Sequence, residues 1–231
     1  MDETLLTLLR SVDTPTICNG IETAHGRRGF DAFTRGTMLC SAPSEPAIVG
    51  YACTARLTAL APPKEDPATI RARRMDYYRM MAEAPRPSIA VIEDVDYPGC
   101  VGAFWGEVNT AVHKGLGLSG ALTNGSMRDL GDLAPGFPVV AGSIGPSHAF
   151  VHVLEIGTPV TVFGLTVAPG DLVHADRHGA VVIPPDVIPH LAEAIRRMQE
   201  IEAIVLKPAR QPGFDFKTLE AAWTAVENAR T

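Results

Sequence analysis

The middle of the chain alternates apolar runs with helix-start signals, and this alternation is the strongest constraint on its fold. The runs AIVGYACTARLTAL (47–60), SIAVIEDVD (88–96) and SGALTN (119–124) are rich in small and β-branched residues, which predicts strands. Between them, Asp66 is followed by a proline at the first position of a predicted helix, and Gly106 opens another helix in GEVNTAVHKGLG. Strands separated by helices predict an α/β fold.

The two ends of the chain carry different patterns. Residues 1–30 predict N-terminal helices, and residues 185–231 predict a tail of two helices. Residues 158–184 predict three short strands, separated by Pro-Gly-Asp and Asp-Arg-His-Gly turns. We therefore expect a single domain over 1–231, with an α/β core at 36–184, a mixed sheet and C-terminal helices.

Charge, hydropathy and cysteine usage exclude several classes of protein. The net charge is −6 and basic residues are not gathered into one patch, which does not favour a nucleic-acid partner. No run of 18 uncharged apolar residues and no signal-peptide pattern is present, so we expect no membrane segment. The four cysteines are scattered without CxxC spacing. This distribution favours a reducing compartment, and hence the cytoplasm, over a disulfide framework or a zinc site.

The first candidate site lies where a predicted strand meets a helix in the segment FWGEVN. Gly106 allows close approach of a ligand to the backbone, and the amides of Val108 and Asn109 lie at a helix N-terminus. That combination suits a carboxylate or a phosphate. Glu107 has two interpretations, because an acidic residue in the first turn also compensates the helix dipole.

The second candidate site is the adjacent pair in TNGSMRD. Arg128 offers planar donors for a carboxylate or ketone oxygen, and Asp129 offers hard oxygens for Mg²⁺ or Mn²⁺. Alternatively, Asp129 caps a short helix in RDLGDL. No lysine lies within an apolar strand, which disfavours imine catalysis and favours a metal if a carbanion must be stabilised.

Four segments of the chain are informative together: VGYACTARLTA, WGEVNTAVHKGLGLSGALTNGSMRD, GFPVVAGSIGPS and VAPGDLVHADRHGAVVIP. Within the second segment, Glu107 is followed by residues 108–127 and then by the pair Arg128-Asp129. Together these segments resemble the RraA-like family, which includes 4-hydroxy-4-methyl-2-oxoglutarate/4-carboxy-4-hydroxy-2-oxoadipate aldolases and regulators of ribonuclease E activity. The most specific element of the resemblance is the acidic residue, twenty intervening residues and then Arg-Asp.

The resemblance implies a swivelling β/β/α domain that assembles as a homotrimer or homohexamer, with sites between subunits. It implies that Asp129 holds a divalent metal, Mg²⁺ or Mn²⁺, largely through waters, and that Arg128 contacts the substrate's keto or carboxylate oxygens. After Gly106, the amides of Val108 and Asn109 would receive a pyruvyl carboxylate. Glu107 would order a water at the metal and serve in acid/base catalysis.

Some positions leave the family's common pattern or cannot be matched to it. Asn124 and Asn19 stand where many members have Asp, so each substitution removes a charge near a candidate site. The family also uses a glutamate from the neighbouring subunit's C-terminal helix, and either Glu200 or Glu202 would match it.

Two functions follow from this resemblance. The first is a divalent-metal-dependent class II pyruvate aldolase that cleaves a 4-hydroxy-2-oxo acid, with oxaloacetate decarboxylation as a side activity. The second is a non-catalytic protein-binding regulator that resembles the ribonuclease E inhibitors. The Arg-Asp pair occurs in both groups, so the motif alone does not choose between them.

Overall fold

The computed structural model describes residues 1–230, which form six helices and thirteen strands. The helices are α1 Glu3–Ser11, α2 Thr14–His25, α3 Pro67–Glu83, α4 Glu107–Gly115, α5 Ile188–Ala209 and α6 Phe216–Arg230. The strands are β1 Leu39–Cys40, β2 Ile48–Thr58, β3 Ser88–Asp94, β4 Ala103–Trp105, β5 Ala121–Thr123, β6 Ser126–Met127, β7 Val139–Ala141, β8 Ser143–Ile144, β9 His152–Ile156, β10 Val160–Val162, β11 Leu165–Val167, β12 Leu172–Asp176 and β13 Gly179–Ile183.

The chain divides into two compact units. The first unit contains residues 1–15 and 31–185, and it holds all thirteen strands of the described chain. The second contains residues 16–30 and the described residues from Asp186 onward, which are helical apart from their connections. The first unit therefore contains the expected core at 36–184 and also residues 1–15 of the predicted N-terminal helices. Organisation as one domain stays a prediction.

The first unit is built on a mixed sheet, which confirms the predicted α/β class. Its strands follow the order β1-β7-β5-β3-β2-β12-β13, and β9 pairs with the far end of β2. The pairs β7–β5, β5–β3 and β3–β2 are parallel, whereas β1–β7, β2–β12, β12–β13 and β2–β9 are antiparallel. A separate parallel sheet of three strands, in the order β4-β6-β8, carries the candidate active site.

Strand β3 shows how the layers are held together, because it is buried on both faces. Ile89 and Val91 belong to one apolar cluster, which also contains the buried valines and leucine of the hairpin β10–β11. Ala90 and Ile92 belong to a second cluster, which contains Tyr77 of α3. A strand buried on both faces has a continuous apolar sequence, as observed here. The sheet therefore lies between a β layer and an α layer.

Several predicted elements are confirmed. The helix that begins after Asp66 is present, and the Asp66 carboxylate accepts hydrogen bonds from the amides of Ala68 and Thr69. The predicted strand at 47–60 is β2, and the helical tail consists of α5 and α6. None of the described helices is long and apolar enough to cross a membrane.

The prediction of three strands in residues 158–184 is wrong, because four are present. The additional hairpin, β10–β11, turns at Phe163 and Gly164, whose φ angles are 50° and 78°. Two consecutive positive φ angles characterise a type I′ turn, which usually contains Asn-Gly or Asp-Gly. A phenylalanine in the first turn position carries no such signal, so the turn could not be recognised in the sequence.

The expected short helix in RDLGDL is also absent, since the chain forms a turn at Leu130–Asp132 instead. Asp129 has φ +54°, in the left-handed region, which prevents a right-handed helix from starting there. The interpretation of Asp129 as a helix cap is therefore wrong.

Candidate active site

Two neighbouring parallel strands, β4 and β6, bring the two predicted junctions together. The amide of Arg128 donates to the carbonyl of Trp105 at 2.7 Å, immediately before Gly106. A Cβ atom at Gly106 would lie 2.5 Å from Oδ2 of Asp129 and 2.9 Å from Cζ of Arg128. Only glycine allows this approach, which explains the residue type at position 106.

The adjacent Arg128 and Asp129 side chains form an ion pair. Nε of Arg128 lies 3.2 Å from Oδ2 of Asp129, while Nη1 donates to the carbonyl of Ala103 at 2.5 Å. The pair forms because the backbone is not helical at Asp129. A guanidinium carries five N–H groups, so these two contacts orient the side chain of Arg128 and leave donors for a ligand. The arginine side chain is 22% exposed.

The N-terminus of α4 meets the same carboxylate. The amide of Glu107 donates to Oδ2 of Asp129 at 3.1 Å. The amide of Thr110 makes the first intrahelical bond, to the carbonyl of Gly106 at 2.9 Å. The amides of Val108, which is largely exposed, and Asn109 precede that bond and have no acceptor within the helix. An anion can therefore bind these amides, with the helix dipole favouring negative charge.

The side chains of Asn109 and His113 form hydrogen bonds that hold α4 against the neighbouring elements. Asn109 donates through Nδ2 to the carbonyl of Phe104 at 2.6 Å and accepts from the Tyr78 hydroxyl at 3.0 Å. His113 is fully buried, with Nδ1 at 2.6 Å from the Asn109 carbonyl and Nε2 at 2.6 Å from the Tyr77 hydroxyl. Burial lowers the pKa of His113 to about 4. A neutral imidazole therefore donates from Nδ1 and accepts at Nε2.

His113 is a structural residue that the sequence reasoning missed. Its four-residue spacing from Asn109 on α4 was the available signal. The side chain of Glu107 is exposed at the first position of the same helix, and its carbonyl accepts from the hydroxyl of Thr110 at 3.0 Å. This position is compatible with both interpretations of Glu107, as a dipole-compensating residue and as an acid/base.

Asp129 fits a hydrated Mg²⁺ or Mn²⁺ ion better than a metal held in a cage of side chains. Its Oδ2 atom holds the two protein donors, whereas Oδ1 is not used by them, and its side chain is 38% exposed. Within residues 1–230, no group of three or more His, Cys, Asp or Glu residues is arranged to hold a metal. Mg²⁺ commonly binds through one or two carboxylates and keeps several waters. The donor set of this chain matches that mode.

Asn124 has a structural role that could not be predicted from the sequence. Its Oδ1 accepts from the amide of Asp94 at 2.7 Å, and its Nδ2 donates to the carbonyl of Asp94 at 3.1 Å. Both residues are buried, and burial raises the pKa of the Asp94 carboxyl. An aspartate at position 124 could accept the first bond but could not donate the second when ionised. The Asn124 side chain thus continues the hydrogen bonding between β3 and β5 beyond the end of the paired backbone.

The other unmatched positions lie in the second unit. Asn19 is exposed on α2, and Glu200 and Glu202 are exposed on α5. Their roles at a site therefore stay a prediction.

Comparison with known proteins shows the family. The model of the RraA-like family, described as Aldolase/RraA, matches residues 14–182, and the chain belongs to this family. The chain is 32% identical over 102 residues to the uncharacterized protein MJ0644 of Methanocaldococcus jannaschii, covering 43% of this chain and 49% of that protein. It is 30% identical over 109 residues to a protein of Halalkalibacterium halodurans with the provisional name 4-hydroxy-4-methyl-2-oxoglutarate aldolase, covering 46% of this chain and 50% of that one. The chain thus spans about half the length of these curated relatives.

A solved structure shares the fold over nearly the full chain. Streptomyces coelicolor RraAS2, described as an unusual member of the RNase ES inhibitor RraA protein family, superimposes with a TM-score of 0.65. The two chains are 21% identical, and the match covers 91% of this chain and 98% of that one. This likeness establishes the RraA fold.

Proposed function

We propose that this protein is a divalent-metal-dependent lyase of the class II pyruvate aldolase type, which cleaves a 4-hydroxy-2-oxo acid to pyruvate and a second carbonyl compound. The observation that supports it is the contact of Arg128 and Asp129 with the glycine-led N-terminus of α4. This junction offers an anion site, a fixed cation and an exposed carboxylate within a few ångströms. Cleavage of a 2-oxo acid requires a site for its carboxylate, a cation near its ketone oxygen and a ligand for the metal.

The residues of the junction would act on different atoms of the substrate. The amides of Val108 and Asn109 bind the pyruvyl carboxylate at the helix N-terminus. The remaining donors of Arg128 hydrogen-bond to the ketone oxygen, where negative charge collects as the C3–C4 bond breaks. Asp129 would hold the divalent ion, which when bound would supply Lewis-acid chemistry.

Two proton transfers complete the reaction, and we assign both to Glu107, acting through a water. It takes the proton of the 4-hydroxyl through a water, so that the C4 oxygen becomes a carbonyl as the C3–C4 bonding pair moves into the enolate. It then returns a proton to C3, and pyruvate forms. Oxaloacetate would give the same enolate by loss of carbon dioxide, which makes its decarboxylation a side activity.

The test is pyruvate release from short 4-hydroxy-2-oxo acids and from oxaloacetate. Protein treated with a chelator should release none, and Mg²⁺ or Mn²⁺ should restore release. Arg128→Ala should lower kcat by about 10²- to 10³-fold, because one preorganised donor to the developing charge is lost. The matched control is Arg79→Ala, which removes an exposed arginine paired with Asp76 on α3. Turnover of Arg128→Ala near that of the control would rule out this site.

A protein-binding regulator is the second candidate, and exposed apolar side chains around the three-stranded sheet favour it. Val101, Ile144 and Phe150 are each at least half exposed. Val101 precedes β4, Ile144 ends β8 and Phe150 follows it, and the amide of Ala103 in β4 donates to the carbonyl of Ser147 after β8. Such side chains suit a protein partner. Capture of a ribonuclease by metal-free protein without lyase activity would favour the regulator.

We also propose that copies of this chain assemble as a homotrimer or homohexamer.

A further inference from the structure

Asn109, in the first turn of α4, has its polar groups bound by three different elements. Its side-chain Nδ2 donates to the carbonyl of Phe104 in β4 at 2.6 Å, and its Oδ1 accepts from the hydroxyl of Tyr78 in α3 at 3.0 Å. Its carbonyl lies 2.6 Å from Nδ1 of His113, one turn further along α4. These contacts leave the backbone amide of Asn109 for a ligand.

Two adjacent tyrosines of α3 supply donors to this arrangement. Tyr78 donates directly to the side chain of Asn109. Tyr77 donates to Nε2 of His113 at 2.6 Å, and it thereby fixes the imidazole that donates to the Asn109 carbonyl. The two phenol rings pack edge to face, with their centroids 5.2 Å apart. Burial raises the pKa of both hydroxyls, so both stay protonated and able to donate at neutral pH.

Attachment of a short helix to the core accounts for only part of this network. A helix of nine residues depends on tertiary contacts, and the buried pair of Tyr77 and His113 provides them. Tyr78 is only partly buried, and its hydroxyl acts on the residue whose amide is open at the helix N-terminus. That amide is open because Gly106, at the N-cap, has no side chain that could accept from it.

We propose that Tyr78 is a positioning residue, which holds the Asn109 amide in place for the carboxylate of the substrate. This inference rests on the proposed function, because the carboxylate is that of the 2-oxo acid bound at α4. The carboxylate keeps its charge throughout the reaction, whereas the ketone oxygen beside Arg128 gains charge. A contact that is equally strong in the ground state and the transition state lowers KM without raising kcat. Tyr78 therefore acts on KM, and Arg128 on kcat.

Tyr78→Phe tests this proposal, because it removes the hydroxyl and retains the ring. With oxaloacetate and Mg²⁺, KM should rise about fivefold to tenfold, because the loss of one hydrogen bond frees the amide to move. The value of kcat should stay within about twofold of wild type. The matched control is Tyr51→Phe, whose hydroxyl contacts the N-terminal amino group at 3.4 Å, and it should change neither constant. A loss of stability in Tyr78→Phe with KM unchanged would overturn the proposal.

Direct binding separates this inference from the lyase activity. Protein loaded with Mg²⁺ is titrated with pyruvate and with pyruvamide, which has the same ketone but no carboxylate. Tyr78→Phe should weaken pyruvate binding about fivefold to tenfold and leave pyruvamide binding within about twofold of wild type. Equal losses for both compounds would overturn the proposal, because they would show a general distortion of the site. Wild-type protein that cleaves no oxo acid but binds pyruvate with this dependence on Tyr78 would contradict the lyase function alone.

Discussion

Oδ2 of Asp129 lies 3.2 Å from Nε of Arg128, and the same oxygen accepts a hydrogen bond from the amide of Glu107 at 3.1 Å. One carboxylate oxygen thus fixes both the arginine and the end of α4. The other oxygen is not used by either donor. This division explains how a single aspartate can organise the protein side of a site and still contact a hydrated metal ion.

The carboxylate charge at Asp129 can be tested without disturbing the backbone. Asp129→Asn keeps a residue type that tolerates φ +54° and can still accept from the Glu107 amide, but it removes the charge. We expect the Mg²⁺ concentration for half-maximal pyruvate release to rise at least about tenfold, because hard divalent cations prefer carboxylate oxygens. The control is Asp132→Asn, which alters an exposed aspartate of the adjacent turn. An unchanged metal requirement in Asp129→Asn would show that the ion binds elsewhere.

Gly106→Ala tests the close approach at the junction. The added Cβ would lie 2.5 Å from Oδ2 of Asp129, so the carboxylate and the guanidinium must move. We expect kcat/KM to fall about 10²-fold, as for displacements of about 1 Å in other active sites. Because φ is −143° at Gly106, the backbone itself accepts alanine.

Gly115→Ala is the matched control for that substitution. Gly115 is the last residue of α4, and no atom lies within 4 Å of a Cβ built there. Alanine should raise the free energy of unfolding by about 0.5–1 kcal/mol and leave activity unchanged. Equal activity of Gly106→Ala and Gly115→Ala would show that the contact at position 106 has no catalytic consequence.

Asn124→Asp restores the residue common in the family, and we expect it to destabilise this chain. It removes the donor to the Asp94 carbonyl and places a second carboxyl beside the buried Asp94. The free energy of unfolding measured in urea should fall by about 2 kcal/mol. Asn19→Asp makes the same change on an exposed face of α2 and should alter stability by less than about 0.5 kcal/mol. Equal effects at the two positions would contradict the structural role of Asn124.

His113 gives the fold a defined response to acid. Its pKa is about 4 in the folded protein, against 6.5 for an unperturbed histidine, so the unfolded chain binds a proton first. The contribution of His113 to stability is therefore complete above pH 6.5 and is lost as the pH falls toward 4. The stability advantage of wild type over His113→Phe should shrink by about 2 kcal/mol between pH 7 and pH 5. Urea denaturation at both values measures it, and a constant difference would mean that His113 is not kept neutral by the fold.

The sequence by itself determined those features that depend on residues close together in the chain. The helix that begins after Asp66 follows from its cap and the next proline, because both act within one turn. The α/β class follows from the alternation of apolar runs with capped helices. The family resemblance, carried by the spacing between Glu107 and Arg128, also identified the two segments that the structure brings together.

Only the tertiary structure decided the contacts that depend on strand register and on unusual backbone angles. The pairing of Arg128 with Asp129 requires a left-handed residue, and nothing in the letters Arg-Asp specifies it. Asn124 binds Asp94, thirty residues away, because the parallel alignment of β3 and β5 sets them side by side. Local sequence patterns reflect the conformational preferences of neighbouring residues, whereas these contacts depend on the backbone geometry and strand alignment of the folded chain. The candidate residues could therefore be identified from the sequence, but their contact partners could not.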